Sequence, residues 1–286
     1  MALSWKKGKR ADGEMSFLEH LEELRWHLIR SIIAIVVLMI VAFIFKNLIF
    51  DHIILAPKDH NFITARLLSR WFGIEINTKQ LNLINIKMSG QLTTHIVVSL
   101  VAGLILAFPV VIWEFWKFFK PALHSNEAQY ARGAVLASSL LFFAGVLFGY
   151  YLLAPLSIHF LSSYQISPDV VNQINVRSYI GTLTSICLAT GLVFELPIVA
   201  FFLTRIGVIT PAFMRKYRRH AIVVIFILAA IITPPDVFSQ LLVSIPLLLL
   251  YEVSIFISWR VVKRKEQDHA DFMKDDTSAN TENATT

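Results

Sequence analysis

Apolar residues dominate six long stretches of the chain, and polar or charged segments separate these stretches. They lie near 25–50, 92–116, 133–156, 179–203, 220–234 and 237–258. An α-helix rises about 1.5 Å per residue, so about 20 mostly apolar residues cross the roughly 30 Å hydrocarbon core of a bilayer. The pattern therefore predicts an all-α polytopic membrane protein with six transmembrane helices.

The fifth apolar stretch is shorter than the others. It runs from His220 to Pro234, which is 15 residues, or about 22 Å of helix. It ends in the segment TPPD at 233–236, where two prolines stop one helix and Asp236 is placed to cap the next. Spans five and six are therefore expected to be short or to be joined by a tight turn.

The distribution of cations predicts the orientation of these spans. If both termini lie in the cytoplasm, the inside segments hold 19 Lys and Arg residues and the outside segments hold 7. Cytoplasmic flanks of membrane helices carry an excess of Lys and Arg. An N-in and C-in arrangement is therefore predicted, although the first outside loop, about 51–91, is basic.

Composition supports a membrane protein and gives its domain organisation. Hydrophobic residues make up 56% of the 286 positions and charged residues only 16%, against about 25% charged residues in soluble domains. The net charge of +6 fits cytoplasmic flanks, so a nucleic-acid partner is not expected. We predict a cytoplasmic N-terminal segment (1–15), a six-helix membrane domain (16–260) and a disordered cytoplasmic tail (261–286).

The segment SFLEHLEELRWHL at 16–28 leads into the first span and is amphipathic. Apolar residues from Phe17 to Leu28 form one stripe at helical spacing, and three acidic residues lie opposite. The start of the segment fits a capping box, which gives Glu19 a local structural role. Glu23 has no such role, and because an anionic inner membrane surface repels carboxylates, we expect Glu23 to meet a cationic partner.

Four motifs give this chain a specific resemblance. HLEELR at 20–25 resembles the HLxELR signature of the TatC family, the signal-recognising core of the twin-arginine protein translocase. Three further stretches resemble that family's first cytoplasmic loop, fourth span and fifth-to-sixth turn: WKFFKPALHSNE at 116–127, FELP at 194–197 and TPPDVFSQ at 233–240. The resemblance covers the chain from about 15 to 260, and Glu114 stands where the family usually has Gln.

The resemblance implies a function and a set of site residues. The chain would bind folded precursor proteins through signal peptides that carry two consecutive arginines, at its cytoplasmic face. Glu23 and Glu127 would receive those arginines, and Phe118, Pro121 and Arg25 would belong to the same site. A guanidinium grips a carboxylate through two parallel hydrogen bonds, which a lysine ammonium cannot copy.

The resemblance also implies partners and a location. Relatives work with single-span TatA and TatB subunits, in homo- or hetero-oligomeric complexes surrounded by lipids in the bacterial inner (plasma) membrane. Transport draws on the proton-motive force and uses no cofactor. Pro57, in the segment LAP, matches a family proline of the first outside loop, and we assign it with Asp236 to partner contact or transport.

Two polar residues inside the predicted spans are further candidates. Glu195 lies in span four, two residues before Pro197, and an ionised carboxylate in hydrocarbon costs at least about 2.5 kcal/mol. It is therefore expected to face a wet cavity or a partner, or to be protonated. Gln240 in span six is a candidate contact for a partner helix, with helix packing as the alternative.

The sequence leaves an alternative function open. A proton-coupled small-solute transporter would use Glu195 and Glu252 as proton carriers, but such proteins often contain internal repeats and none is visible here. An intramembrane enzyme would need a nucleophile and a base at close spacing, and no such pair is found. No metal-binding or phosphate-binding motif is present either, and the single cysteine, Cys187, lies within an apolar run.

Overall fold

The structure, a computed structural model, describes residues 17–58, 62–64, 66, 70, 82–119, 131–167, 169–170, 172–233 and 237–283. The α-helices of this part of the chain are α1 (Phe17–Ile44), α2 (Gly90–Phe119), α3 (Ala131–Phe148), α4 (Ala154–Ser163), α5 (Val176–Val193), α6 (Leu196–Arg205), α7 (Pro211–Lys216), α8 (Arg218–Ile232) and α9 (Val237–Asn283). The described residues also form two π-helical segments, Leu48–Ile54 and Gly149–Leu153, and a 3₁₀ turn, Ala56–Lys58. There are two short strands among them, β1 (Leu83–Ile84) and β2 (Ile174–Asn175).

Among the described residues, five helical stretches are long and apolar enough to cross a membrane. They are Leu21–Ile44, Gly90–Phe118, Gly133–Ser163, Val176–Arg205 and Gln240–Arg264. They correspond to predicted spans one, two, three, four and six, so the prediction of an all-α polytopic membrane protein is confirmed. The fifth predicted span is α8, a helix of 15 residues, and a count of six crossings depends on this short helix.

Small hydroxyl-bearing side chains share the interior of the bundle with apolar side chains, and many other large apolar side chains are exposed. Ser99, Ser138, Ser157 and Thr190 are almost completely buried, whereas large apolar side chains such as Ile44 and Ile231 are exposed. Lipid tails are as apolar as leucine, so membrane helices pack through small and hydroxyl-bearing residues and turn their apolar side chains outward. The distribution therefore indicates a bundle built to be surrounded by lipid.

Glycines let two pairs of helices approach closely. A Cβ added at Gly103 of α2 would lie 2.6 Å from the backbone nitrogen of Met39 in α1. A Cβ at Gly145 would lie 2.7 Å from the carbonyl oxygen of Thr190, so α3 and α5 touch at the backbone. Gly145 and Gly149 are spaced as in the GxxxG motif of membrane helix pairs.

The two ends of the bundle differ in chemistry. Helices α1 and α2 are antiparallel, so the start of α1 and the end of α2 form one end, which we name the Glu114 end after its buried carboxylate. Trp116 of α2 contacts Phe202 of α6 edge-on, with 5.6 Å between ring centroids, and this brings the end of α6 to the same place. The opposite end, where α1 finishes and α2 begins, is named the Lys46 end.

Backbone carbonyls and two strands hold the Lys46 end together. The hydroxyl of Tyr150 donates to the carbonyl of Ile53 at 2.7 Å, and the hydroxyl of Tyr179 donates to the carbonyl of Ile54 at 2.8 Å. Strands β1 and β2 pair in parallel just before α2 and α5 begin. The chain between α1 and α2 is therefore tied to three neighbouring segments, although much of the predicted first outside loop lies outside the described residues.

Helix α9 continues to Asn283, whereas the sequence predicts a disordered tail at 261–286, and the predicted division of the chain into three parts stays a prediction. The segment after the last span contains many residues with good helix propensity, including Lys, Arg, Glu, Gln and Ala. It can therefore extend a helix that span six has already nucleated. The predicted N-terminal segment 1–15 lies outside the described residues.

Candidate functional site

A row of polar side chains on α1 faces the end of α2. Glu23, His27 and Arg30 are spaced by four and three residues, which places them on one side of the helix. The leucines of the predicted apolar stripe, Leu21, Leu24 and Leu28, are exposed on the outside of the bundle. The polar side of this amphipathic helix therefore packs inward, and its apolar side is left for lipid.

Glu114 of α2 is the centre of this contact. His27 Nδ1 lies 2.8 Å from Glu114 Oε2, Arg30 Nη1 donates to the same oxygen at 3.3 Å, and Lys117 Nζ donates to Oε1 at 2.8 Å. The Glu114 side chain is only 7% exposed, and a buried carboxylate needs charged or hydrogen-bonding partners to offset its lost hydration. Glu114 and its partners therefore fix the position of α1 against α2.

Glu23 has a carboxylate oxygen that is free to accept a hydrogen bond. Its Oε1 is 4.0 Å from His27 Nε2, and its Oε2 is buried and has no hydrogen-bond partner within the part of the chain that the structure describes. The ring of Phe118 packs edge-on against His27, with centroids 6.3 Å apart. Buried polar atoms are rarely left without a partner, so this oxygen marks a place where a donor can bind.

The structure brings together only some of the predicted signal-site residues. Glu23 and Phe118 both adjoin His27 at the Glu114 end. The guanidinium of Arg25 instead lies 6.0 Å from the centroid of the exposed Trp26 ring. Arg25 is two residues from Glu23, and residues two apart on a helix do not face each other. Glu127 and Pro121 lie outside the described residues.

Glu195 occupies a break within the fourth span. Helix α5 ends at Val193 and α6 begins at Leu196, with Pro197 in its first turn, so the span is interrupted beside a residue that lacks a backbone donor. Ser138 Oγ donates to Glu195 Oε2 at 2.6 Å, whereas the buried Oε1 makes no hydrogen bond of normal geometry to any described residue. The carboxyl group is thus held to α3 on one side and can accept a bond on the other.

Two other candidates for partner contact or transport, Gln240 and Pro57, have structural roles. The side-chain amide of Gln240 donates to the carbonyl of Phe226 at 3.2 Å and so links α9 to α8. Pro57 is buried in the 3₁₀ turn at the Lys46 end. Asp236 lies outside the described residues. Glu252, the second carboxylate of the transporter alternative, is exposed and pairs with Arg218 at 2.6 Å.

Three contacts of the site were not predicted from the sequence. They are the pairing of His27 with Glu114, the bond from Ser138 to Glu195, and the link from Gln240 to Phe226. The spacing of Glu23, His27 and Arg30 was the available signal for the first. Within the described residues, no three His, Cys, Asp or Glu side chains are grouped so that they could hold a metal ion.

Comparisons with known proteins identify the family of this chain. Residues 19–246 match the family model described as Sec-independent protein translocase protein (TatC). TatC of Blattabacterium sp. subsp. Periplaneta americana (strain BPLAN) is 40% identical over 265 residues, which cover 90% of this chain and 100% of that protein. TatC of Aquifex aeolicus (strain VF5) is 36% identical over 254 residues, which cover 88% of this chain and 98% of that protein.

Two solved structures are also similar. One is a crystal structure of the twin arginine translocase receptor TatC, with a TM-score of 0.64 and 36% identity, covering 85% of this chain and 100% of that chain. The other is a crystal structure of the same receptor in DDM, with a TM-score of 0.67 and 37% identity, covering 84% of this chain and 99% of that chain. The chain therefore belongs to the TatC family of Sec-independent protein translocase proteins.

Proposed function

We propose that this chain is the core subunit of a twin-arginine translocase that binds Arg-Arg signal peptides of folded precursor proteins. The observation that carries this proposal is the buried Oε2 of Glu23, which has no partner among the described residues and lies beside His27 and Phe118. An arginine guanidinium has five N–H donors and is always charged, so it can satisfy this oxygen without a change of protonation.

Partial burial gives such a contact useful strength. The Glu23 side chain is 34% exposed, and hydrogen bonds to charged groups contribute about 1.5–3 kcal/mol, whereas exposed ion pairs contribute about 0.2–1 kcal/mol. Glu127 would receive the second arginine, with Pro121 shaping the loop that holds it. Two such contacts would supply roughly 3–6 kcal/mol, or about 10²- to 10⁴-fold in affinity.

The Glu114 end is proposed to face the cytoplasm, with both termini on that side. The excess of Lys and Arg on the segments at this end supports the assignment. It would place the signal site where precursors arrive in a bacterium, at the inner face of the inner membrane. Export of the bound precursor would then draw on the proton-motive force, with no cofactor and no catalytic step in this chain.

Glu195 is proposed to act after signal binding, in contact with a single-span partner of the TatA or TatB type. Its open Oε1 supports this role, because a donor on a partner helix could bond to it within the membrane. Gln240, Pro57 and Asp236 are proposed for the same stage. Gln240 would have to exchange its bond to Phe226 for one to a partner, since that bond uses its side-chain amide.

Binding of a fluorescent Arg-Arg signal peptide to the purified full-length protein tests the signal site. Glu23→Ala should weaken binding by about 1.5–3 kcal/mol, roughly 10- to 150-fold, and Glu127→Ala should do the same. Glu22→Ala is the matched control, because Glu22 is exposed and adjacent to Glu23 on the same helix. If Glu23→Ala and Glu22→Ala bind the peptide equally well, Glu23 is a solvated surface charge and the proposed site is wrong.

A further inference from the structure

The Lys46 end carries cations that signal recognition does not use. Six of the seven Lys and Arg residues on the predicted outside segments lie between Lys46 and Lys87. Such a cluster runs against the usual bias of cations towards cytoplasmic flanks. Cations held here against that bias indicate an anionic partner.

A cavity of about 620 Å³ opens among these cations. It lies between the chain that follows α1, the start of α2 and the start of α5, and its polar lining includes Lys46, Asn47, Asp51, Lys58 and Gln91. Within the described ranges, no carboxylate pairs with either lysine. We name this space the Lys46 cavity; its two lysines and the side-chain amides of Asn47, Asn82 and Gln91 supply donors for an anion.

A second cavity, of about 350 Å³, continues from the first between α2 and α5. Thr94 and Ile180 line both spaces, and Val97, Val101 and Leu188 extend the lining of the second towards the middle of the bundle. At about 1.5 Å per residue, the distance from Thr93 to Val101 along α2 is roughly 12 Å. This α2–α5 groove therefore reaches from the membrane surface well into the depth of the hydrocarbon.

We propose that the Lys46 cavity and the α2–α5 groove together bind one anionic phospholipid. The phosphate would lie among Lys46, Lys58 and the amides, and one acyl chain would lie in the groove. Arg177 lines the groove and adds a third cation, so cations outnumber the single carboxylate of Asp51. Basic pockets between membrane helices bind anionic headgroups, and both volumes lie in the range of about 300–1,000 Å³ that is usual for ligand sites.

The shape of the site selects a lipid over a soluble anion. A free phosphate would use the Lys46 cavity and leave the groove empty, whereas a phospholipid is polar at one end and apolar at the other, as the joined cavities are. With both termini in the cytoplasm, the lipid would belong to the outer leaflet. The proposal does not depend on signal binding, because the site and the Glu114 end lie at opposite ends of the bundle.

The purified full-length protein is mixed with phosphatidylglycerol or with phosphatidylcholine that has the same acyl chains. Native mass spectrometry then counts the lipid molecules that the protein retains. The unaltered protein should retain phosphatidylglycerol preferentially. Lys46→Gln and Lys58→Gln should each weaken that binding about fivefold, and the double variant about 30-fold. Lys87→Gln is the matched control, because Lys87 is an exposed cation at the same end that lines neither cavity.

A variant of Gly181 tests the acyl-chain half of the site. A Cβ at Gly181 meets no atom within 4 Å, and Gly181 lines the groove, so Gly181→Leu should fill the groove without disturbing the helices. It should weaken binding of both lipids. The Lys46 and Lys58 variants should bind an Arg-Arg peptide as tightly as the parent does.

Three results would overturn the proposal. The unaltered protein could retain the two lipids equally, or the double variant could retain as much phosphatidylglycerol as Lys87→Gln does. The third is displacement of phosphatidylglycerol by millimolar inorganic phosphate. The last would assign the site to a soluble anion. Because the first comparison uses only the unaltered protein, the proposal remains testable even if a variant fails to fold.

Discussion

Replacing Glu114 tests how three partners share one buried carboxylate. The Glu114 side chain is 7% exposed and that of His27 is 11% exposed, whereas those of Arg30 and Lys117 are 56% and 43% exposed. When Glu114→Ala removes the acceptor, Arg30 and Lys117 can turn to water, but His27 Nδ1 stays buried without its partner. The cost should therefore come mainly from His27, at about 1.5–3 kcal/mol, and not reach the roughly 3–5 kcal/mol of a fully buried ion pair.

Double-mutant cycles separate these contributions. We expect a coupling free energy of about 1.5–3 kcal/mol for His27 with Glu114, because a hydrogen bond to an ionised acceptor is strong in either charge state of the imidazole. For Arg30 with Glu114 we expect at most about 1 kcal/mol, which added salt should reduce. The measurement is the free energy of unfolding in detergent micelles for each single and double alanine variant. An Arg30 coupling equal to or larger than the His27 coupling would refute this reasoning.

Three further predictions concern topology, the intramembrane carboxyl and helix packing. In a Cys187→Ala background, a thiol reagent should label cysteines placed at Ser125 and Ser278 only from the cytoplasm, and one placed at Ser167 only from outside. Labelling at Ser167 from the cytoplasm would contradict six crossings. Glu195→Ala should leave Arg-Arg peptide binding unchanged and weaken crosslinking to single-span partners, and a loss of peptide binding like that of Glu127→Ala would remove the proposed division of roles. Gly145→Ala should cost about 1–3 kcal/mol of unfolding free energy because its Cβ would lie 2.7 Å from the Thr190 carbonyl. Gly133→Ala, whose Cβ meets nothing within 4 Å, is the control and should be neutral or stabilising by up to about 1 kcal/mol.

The parts of the fold that depend on local pattern could be predicted. Each long apolar run is helical over most of its length, and the fourth is interrupted beside Pro197, because a proline removes a backbone donor. Polarity predicts a disordered tail after 261, whereas α9 extends to Asn283, where helix propensity and continuity with span six favour a helix. Composition alone does not account for nucleation by a neighbouring span.

The contacts of the site could not be predicted in the same way. His27 and Glu114 are 87 residues apart, and their pairing depends on how α1 and α2 are aligned, which backbone approach at Gly103 helps to fix. The apolar stripe of α1 gave the correct periodicity but not the direction in which it faces. In a bilayer the apolar face turns towards lipid, so the polar face, with Glu23, is the one that packs inward.

The central claim is tested most directly by two affinities of the unaltered full-length protein. One is its affinity for an Arg-Arg signal peptide, and the other is its affinity for the same peptide with Lys-Lys in place of Arg-Arg. Both peptides have the same charge, but only arginine can make two parallel hydrogen bonds to a carboxylate. We predict that the Lys-Lys peptide binds at least about tenfold more weakly, and that Glu23→Ala reduces this difference. Equal affinity for the two peptides would show that charge alone attracts the signal and would contradict a site built on the open oxygen of Glu23.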